Sequence, residues 1–193
     1  NGGVQELLQF VPVRRGDYFD LPPGIPHAIA PDVALLEPQR VLRGRAGKTY
    51  RMWDWDRRYN DRGEQDPCGQ PRELHVDEAL ALVEPMVQCG DAFLAELRPA
   101  AETLVSGELS VRRVGRNAYY QTIVWEGEGS FSWELESRYA SVSCFAGATT
   151  WSDGLDLRAG ESALLLPSTA KVRCQGASHG AIVCPSDVSL RVY

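Results

Sequence analysis

The chain has 193 residues, of which 44% are hydrophobic and 24% charged, with a formal net charge of −6. That length suffices for one large domain or two small ones, and the acidic balance speaks against nucleic acid, whose binders carry a basic face. No apolar run approaches the ~20 residues needed to cross a bilayer, and the N-terminus lacks the basic-then-apolar pattern of a secretory signal.

Five cysteines, Cys68, Cys89, Cys144, Cys174 and Cys184, are scattered without a C-x-x-C pair. That spacing fits unpaired thiols in a reducing, cytoplasmic setting better than a disulfide framework or a structural zinc site.

Short apolar runs punctuated by Gly, Pro and Asp predict strands and turns. The first set of predicted strands is Val11–Val13, Asp17–Leu21, His27–Ala30, Val33–Gln39 and Thr49–Trp55. Arg40 to Arg62 is Arg-rich but interleaved with Asp54, Asp56 and Asp61, which reads as a local anion-binding patch. Tyr59–Pro71 is polar and Gly-rich, a loop. Asp77–Val83 has helical spacing, with Asp77 as the expected N-cap and Pro85 as the stop. Ala92–Arg98 is ambiguous and reads as a strand.

The second set is Ala118–Glu126, Ser130–Glu136, Tyr139–Phe145, Ser162–Leu166, Ala170–Cys174 and Gly180–Cys184. Glu126-Gly127-Glu128-Gly129 reads as a turn between the first two. Tyr119, Trp125, Phe131 and Trp133 are the expected core, and His179 is expected in an exposed turn. Many short strands with regular turns predict an all-β fold of sandwich or barrel type.

Gly16-Asp-Tyr-Phe-Asp-Leu-Pro22-Pro-Gly24-Ile-Pro-His27 fits G-x5-P-x-G-x2-H. Gly16 permits a tight turn, Pro22 and Gly24 reverse the chain, and His27 opens the returning segment with an imidazole suited to Zn, Mn or Fe. Against this stands the ordinary alternative of a core histidine. The spacing resembles the second sequence motif of the cupin superfamily, although Pro31 stands where that motif has Asn.

Further along come Val33-Ala-Leu-Leu-Glu37-Pro-Gln39, Thr49-Tyr50-Arg51-Met-Trp53-Asp54-Trp-Asp-Arg57 and Pro71-Arg72-Glu73-Leu74-His75. In this order they resemble the later portion of type I mannose-6-phosphate isomerases, well over residues 9–85 and weakly over 110–193. The resemblance implies cupin-type jelly-roll barrels: residues 1–75 as a partial barrel carrying the site, 76–90 as a helical linker, and 91–193 as a second barrel without a metal motif. It implies His27 as a zinc ligand, Glu37 as an acid/base group in the sugar pocket, and Arg51 as the arginine beside the substrate. Lys48, Gln39 and Trp53 join them as substrate-binding candidates. Arg72 and His75 are expected to be structural.

Strand alternation would set Val33, Leu35, Glu37 and Gln39 on one face, and Thr49, Arg51, Trp53 and Trp55 on another. The function implied is metal-assisted interconversion of mannose 6-phosphate and fructose 6-phosphate by a cytoplasmic monomer, with a phosphorylated hexose as partner and neither nucleic acid nor membrane. The alternative is a non-catalytic cupin module that binds carbohydrate or regulates a partner. Only fifteen residues precede Gly16 and none is His. The other metal ligands are therefore expected either outside this sequence or lost from a naturally short protein, and the chain alone is expected to isomerise poorly, since catalytic zinc normally has three protein ligands.

Overall fold

The computed structural model describes residues 2–83, 89–136, 138–188 and 190–193. The chain divides into two compact units, one of residues 1–13 and 21–96, the other of residues 14–20 and 97–193.

The first unit opens with a 3-10 helix, Gly2–Leu7. No paired strand follows until β1, Arg58–Tyr59, which meets β2, Gln70–Pro71, as a two-stranded antiparallel ribbon. The strands expected between Val11 and Trp55 therefore do not form among the described residues. The physical reason is pairing. A strand needs a neighbour for its N–H and C=O groups, and six prolines between Val11 and Gln39 remove donors from this stretch. Ile29, Val33, Leu35, Leu36, Val41 and Leu42 consequently remain exposed.

Helix α1 spans Val76–Leu82. His75, not Asp77, holds the N-cap position and makes no side-chain capping bond; Asp77 and Glu78 lie in the first turn, where carboxylates suit the helix dipole. Pro85 falls outside the described residues. Helix α2, Asp91–Leu97, replaces the strand expected at Ala92–Arg98. Ala, Leu and Glu are good helix formers, and Asp91 supplies the acidic first turn.

The second unit is an antiparallel sheet of eight strands. These are β3 (Glu102–Val105), β4 (Leu109–Arg116), β5 (Tyr120–Leu135), β6 (Ala140–Trp151), β7 (Asp156–Arg158), β8 (Ser162–Leu165), β9 (Ser168–Pro185) and β10 (Leu190–Val192). The main path runs β3-β4-β5-β9-β6-β7, while β10 pairs with the far end of β5 and β8 with the near end of β6.

Three long strands, β5, β9 and β6, carry this arrangement, and each absorbs two predicted strands or an unpredicted extension. Glu126-Gly127-Glu128-Gly129 is not a turn: the register shifts there by a bulge and the strand continues. Gly127 is required at that bulge. Its φ is 118°, and a Cβ would collide with the Glu108 carbonyl. β6 shifts register twice, between Cys144 and Ala148.

One core gathers side chains from both sides of these bulges: Ile123 and Trp125 with Phe131, Trp133 and Leu135 on β5, Val142 and Trp151 on β6, Val172 and Ile182 on β9. Trp125, Trp133 and Trp151 are fully buried, and edge-to-face rings join Phe131 and Trp133 to Trp151. Gly180 lies directly opposite Trp125 in the ladder and leaves room for its ring. Tyr119, expected in the core, is exposed. His179, expected in an exposed turn, is only 7% exposed, because β9 runs straight through the Gly-Ala-Ser-His-Gly segment.

The outer face of the sheet holds a second, smaller cluster of Val114, Val124 and Ala181. Tyr18, from the early segment Arg14–Asp20, covers it, and its ring lies where Gly115 has no side chain. The same segment is tied down along its length. Arg15 pairs with Glu126, Asp17 with Arg98 at 3.7 Å, and Asp20 accepts from Asn117 at 3.2 Å and donates its N–H to the Leu97 carbonyl at 2.8 Å.

Candidate functional site

His27 follows the turn at Pro23-Gly24, where Gly24 has φ 95°. Its Nδ1–H donates to the Ile25 carbonyl at 2.9 Å. That bond places the proton on Nδ1 in the neutral ring and leaves the Nε2 lone pair outward, the tautomer that can accept a proton or ligate a cation. Nε2 lies 4.0 Å from Glu37 Oε1, with both side chains largely exposed. This distance is Coulombic contact and not a hydrogen bond. The sequence placed His27 and Glu37 in one site, and the fold brings these two side chains to each other.

Arg51 has different company. Its backbone is clipped to residue 75: the His75 N–H donates to the Arg51 carbonyl at 2.7 Å, and the Arg51 N–H donates to His75 Nδ1 at 3.4 Å. Its guanidinium reaches the Glu73 carbonyl at 3.4 Å and lies 4.0 Å from Asp54.

Asp54 is the hub of this region. Arg72 binds it through two parallel bonds, Nε to Oδ2 at 2.7 Å and Nη2 to Oδ1 at 2.8 Å, and Arg57 adds a third at 2.5 Å. The carboxylate is 7% exposed. Burial alone would raise its pKa, but the hydrogen bonds from Arg72 and Arg57 outweigh that and hold it below the usual range. Arg72 also donates to the Tyr59 hydroxyl at 2.8 Å and lies 4.6 Å above the Tyr59 ring. Arg72 thus contacts Asp54 and Tyr59, and His75 contacts the Arg51 backbone, all within the first unit. Asp54 was missed as the centre: the sequence sets an acid near Arg51, Arg57 and Arg58 but does not reveal that Arg72 reaches it.

Trp53 stacks on Trp55 with centroids 4.3 Å apart. Trp55 and Asp56 both have positive φ, 55° and 52°, forming a tight turn closed by Arg57 N–H to the Asp54 carbonyl at 3.0 Å. The alternation expected for Thr49–Trp55 is therefore broken, and so is that of Val33–Gln39, where no strand forms. Lys48 and Gln39 are exposed.

Among the described residues no three His, Cys, Asp or Glu side chains gather closely enough to hold a metal ion. His27 and Glu37 supply two donors, short of the three protein ligands of a catalytic zinc. In the second unit Cys144, Cys174 and Cys184 are buried and form no disulfide, with burial pushing the Cys174 thiol up to about 12 and the Cys184 thiol up to about 11.

The fold is mostly β and antiparallel, with two short helices. The crystal structure of mannose 6-phosphate isomerase from Bacillus subtilis superposes with a TM-score of 0.52 at 17% identity, over 70% of this chain and 40% of that one. In sequence, the mannose-6-phosphate isomerase of Streptococcus mutans serotype c is 30% identical over 173 residues, which is 88% of this chain and 48% of that protein. Mannose-6-phosphate isomerase ManA of Bacillus subtilis is 36% identical over 146 residues, 76% of this chain and 41% of that protein. Over the aligned residues the chain is related to the mannose-6-phosphate isomerases, and it spans about half the length of the curated relatives it matches. No protein-family model matches it. No helix among the described residues is long and apolar enough to cross a membrane.

Proposed function

We propose that this chain acts on a phosphorylated hexose, contributing acid/base and electrostatic groups to the interconversion of mannose 6-phosphate and fructose 6-phosphate. The observation that supports this most is the 30% identity over 173 residues to a mannose-6-phosphate isomerase. In this reading Glu37 takes the proton from C2 of the open-chain aldose and returns it to C1, so that an enediol connects the two sugars. The Arg51 guanidinium sits over the oxygen that becomes negative as the proton leaves. Trp53 and Gln39 flank the sugar, and Lys48 meets its phosphate. Zinc is the group the family implies. The described residues fall short of its ligand set, so no step here runs through a metal held by this chain.

The test is deuterium incorporation. Incubated with mannose 6-phosphate in D2O, the chain produces fructose 6-phosphate slowly, with deuterium at C1, and Glu37→Gln abolishes both. Conversion that survives Glu37→Gln removes the carboxylate from the mechanism. The incomplete ligand set favours a second reading, a cupin module that binds the sugar without turning it over. Saturable binding of mannose 6-phosphate with no product would establish that reading in place of the first.

A further inference from the structure

His179 is a buried imidazole outside the candidate site, and four elements of the second unit surround it. Glu126 on β5 is its direct cross-strand partner, so the two side chains share one face of the sheet. Arg15 comes from the segment Arg14–Asp20 and bonds Glu126 through both Nε and Nη2. Arg112 adds its charge from β4, and the Phe145 ring on β6 packs edge-on at 5.3 Å. Glu126 thus has two cations within reach. One is permanent and arrives on a separate segment; the other exists only when the imidazole is protonated.

We propose that Glu126 exchanges partners with pH: at neutral pH it holds Arg15 and keeps the Arg14–Asp20 segment docked, and on acidification His179 becomes the cation, takes Glu126 and lets the segment go. The competition is built into the geometry. With Arg15 in place, a proton on His179 would meet two guanidiniums, Arg15 and Arg112, against one carboxylate. With Arg15 gone, it meets one of each. Proton binding and segment docking therefore oppose each other, and linkage makes the effect reciprocal.

Burial first, and then Arg15, hold the imidazole below its ordinary range, with Glu126 pulling the other way and Arg112 adding to the depression. Because Arg15 depresses the docked value, docking is favoured at neutral pH and weakens as pH falls through the undocked value towards the docked one. A single proton limits the change to about tenfold per pH unit.

Hydrogen exchange on the full chain tests this, with the Asp20 amide as reporter, since it bonds the Leu97 carbonyl only when the segment is docked. The protection factor of Asp20 falls by roughly tenfold or more between pH 7 and pH 5, while amides of β5 and β9 keep theirs. His179→Phe removes the pH dependence, and Glu126→Gln leaves Asp20 poorly protected at both pH values. Should His179→Phe disturb β5 and β9, His179→Gln gives the same test without a ring. An Asp20 profile unchanged by either variant, a wild-type profile that is flat, or a loss shared equally by β5 and β9 would overturn the exchange.

Discussion

Arg72 and Asp54 form a two-point ion pair with both bonds at 2.8 Å or less, on a carboxylate that is 7% exposed. Because Arg57 binds the same oxygen atom as Arg72 Nη2, one acid organises two guanidiniums and approaches a third, that of Arg51. Removing the acid leaves like charges facing each other. Asp54→Ala should destabilise the first unit by about 1–3 kcal/mol, below the full value for a buried pair because the arginines keep part of their hydration. Urea unfolding followed through the fluorescence of Trp53 and Trp55 measures it.

The same pair sets an acid limit. The Asp54 pKa is lowered from 3.8, so its unfolded form takes up protons first as pH falls. Its stabilising contribution is complete above that value and is lost as pH drops through the depressed folded one. The stability difference between wild type and Asp54→Asn should therefore be largest near neutrality and shrink below pH 4. A difference that stays constant down to pH 2 would show that the charge is not what holds these arginines.

Arg51 separates function from stability. Its guanidinium is a third exposed and makes one long contact to Asp54 and one to a carbonyl at 3.4 Å. Arg51→Ala should cost less than about 1 kcal/mol of stability. Under the isomerase reading, it should lower turnover by about a hundredfold or more. Paired denaturation and turnover measurements decide between this and a purely structural role, in which the two losses would track each other.

The second unit was readable as strands because its apolar residues alternate between Gly- and Asp-marked breaks. What the pattern concealed was continuity. Gly127 and Gly129 look like a turn on paper, yet they serve a bulge that lets β5 run on for 16 residues. Gly176 and Ala177 do the same for β9, which is why His179 is buried. In the first unit the period-2 runs around Val33 and Thr49 suggested strands. A period describes which faces side chains occupy and says nothing about whether a neighbouring strand exists to pair with. Of the site, the grouping of His27 with Glu37 was legible only through the family resemblance. The role of Asp54 was not, because the contact with Arg72 spans 18 residues and depends on a turn through Trp55 and Asp56, both at positive φ.

In the core, the Trp125 indole N–H donates to Ser178 Oγ at 2.9 Å, and Ser178 has no exposed surface. Ser178→Ala leaves that donor buried and unpaired and should cost about 1–3 kcal/mol. Trp133 has no such partner for its own N–H among the described residues. Trp133→Phe should therefore cost less than the ring's lost volume alone implies, since it also removes an orphaned donor. Thermal unfolding of the two variants checks the order.

In the proposed function, Glu37, Arg51 and Lys48 serve one hexose phosphate. Titrating isotope-labelled chain with mannose 6-phosphate, and separately with unphosphorylated mannose, reads this most directly by NMR. Saturable shifts at His27, Glu37, Arg51 and Lys48 with the phosphorylated sugar, much weaker with mannose, are the expected outcome. Shifts confined to the second unit, or none at all, would leave these residues without a sugar to act on.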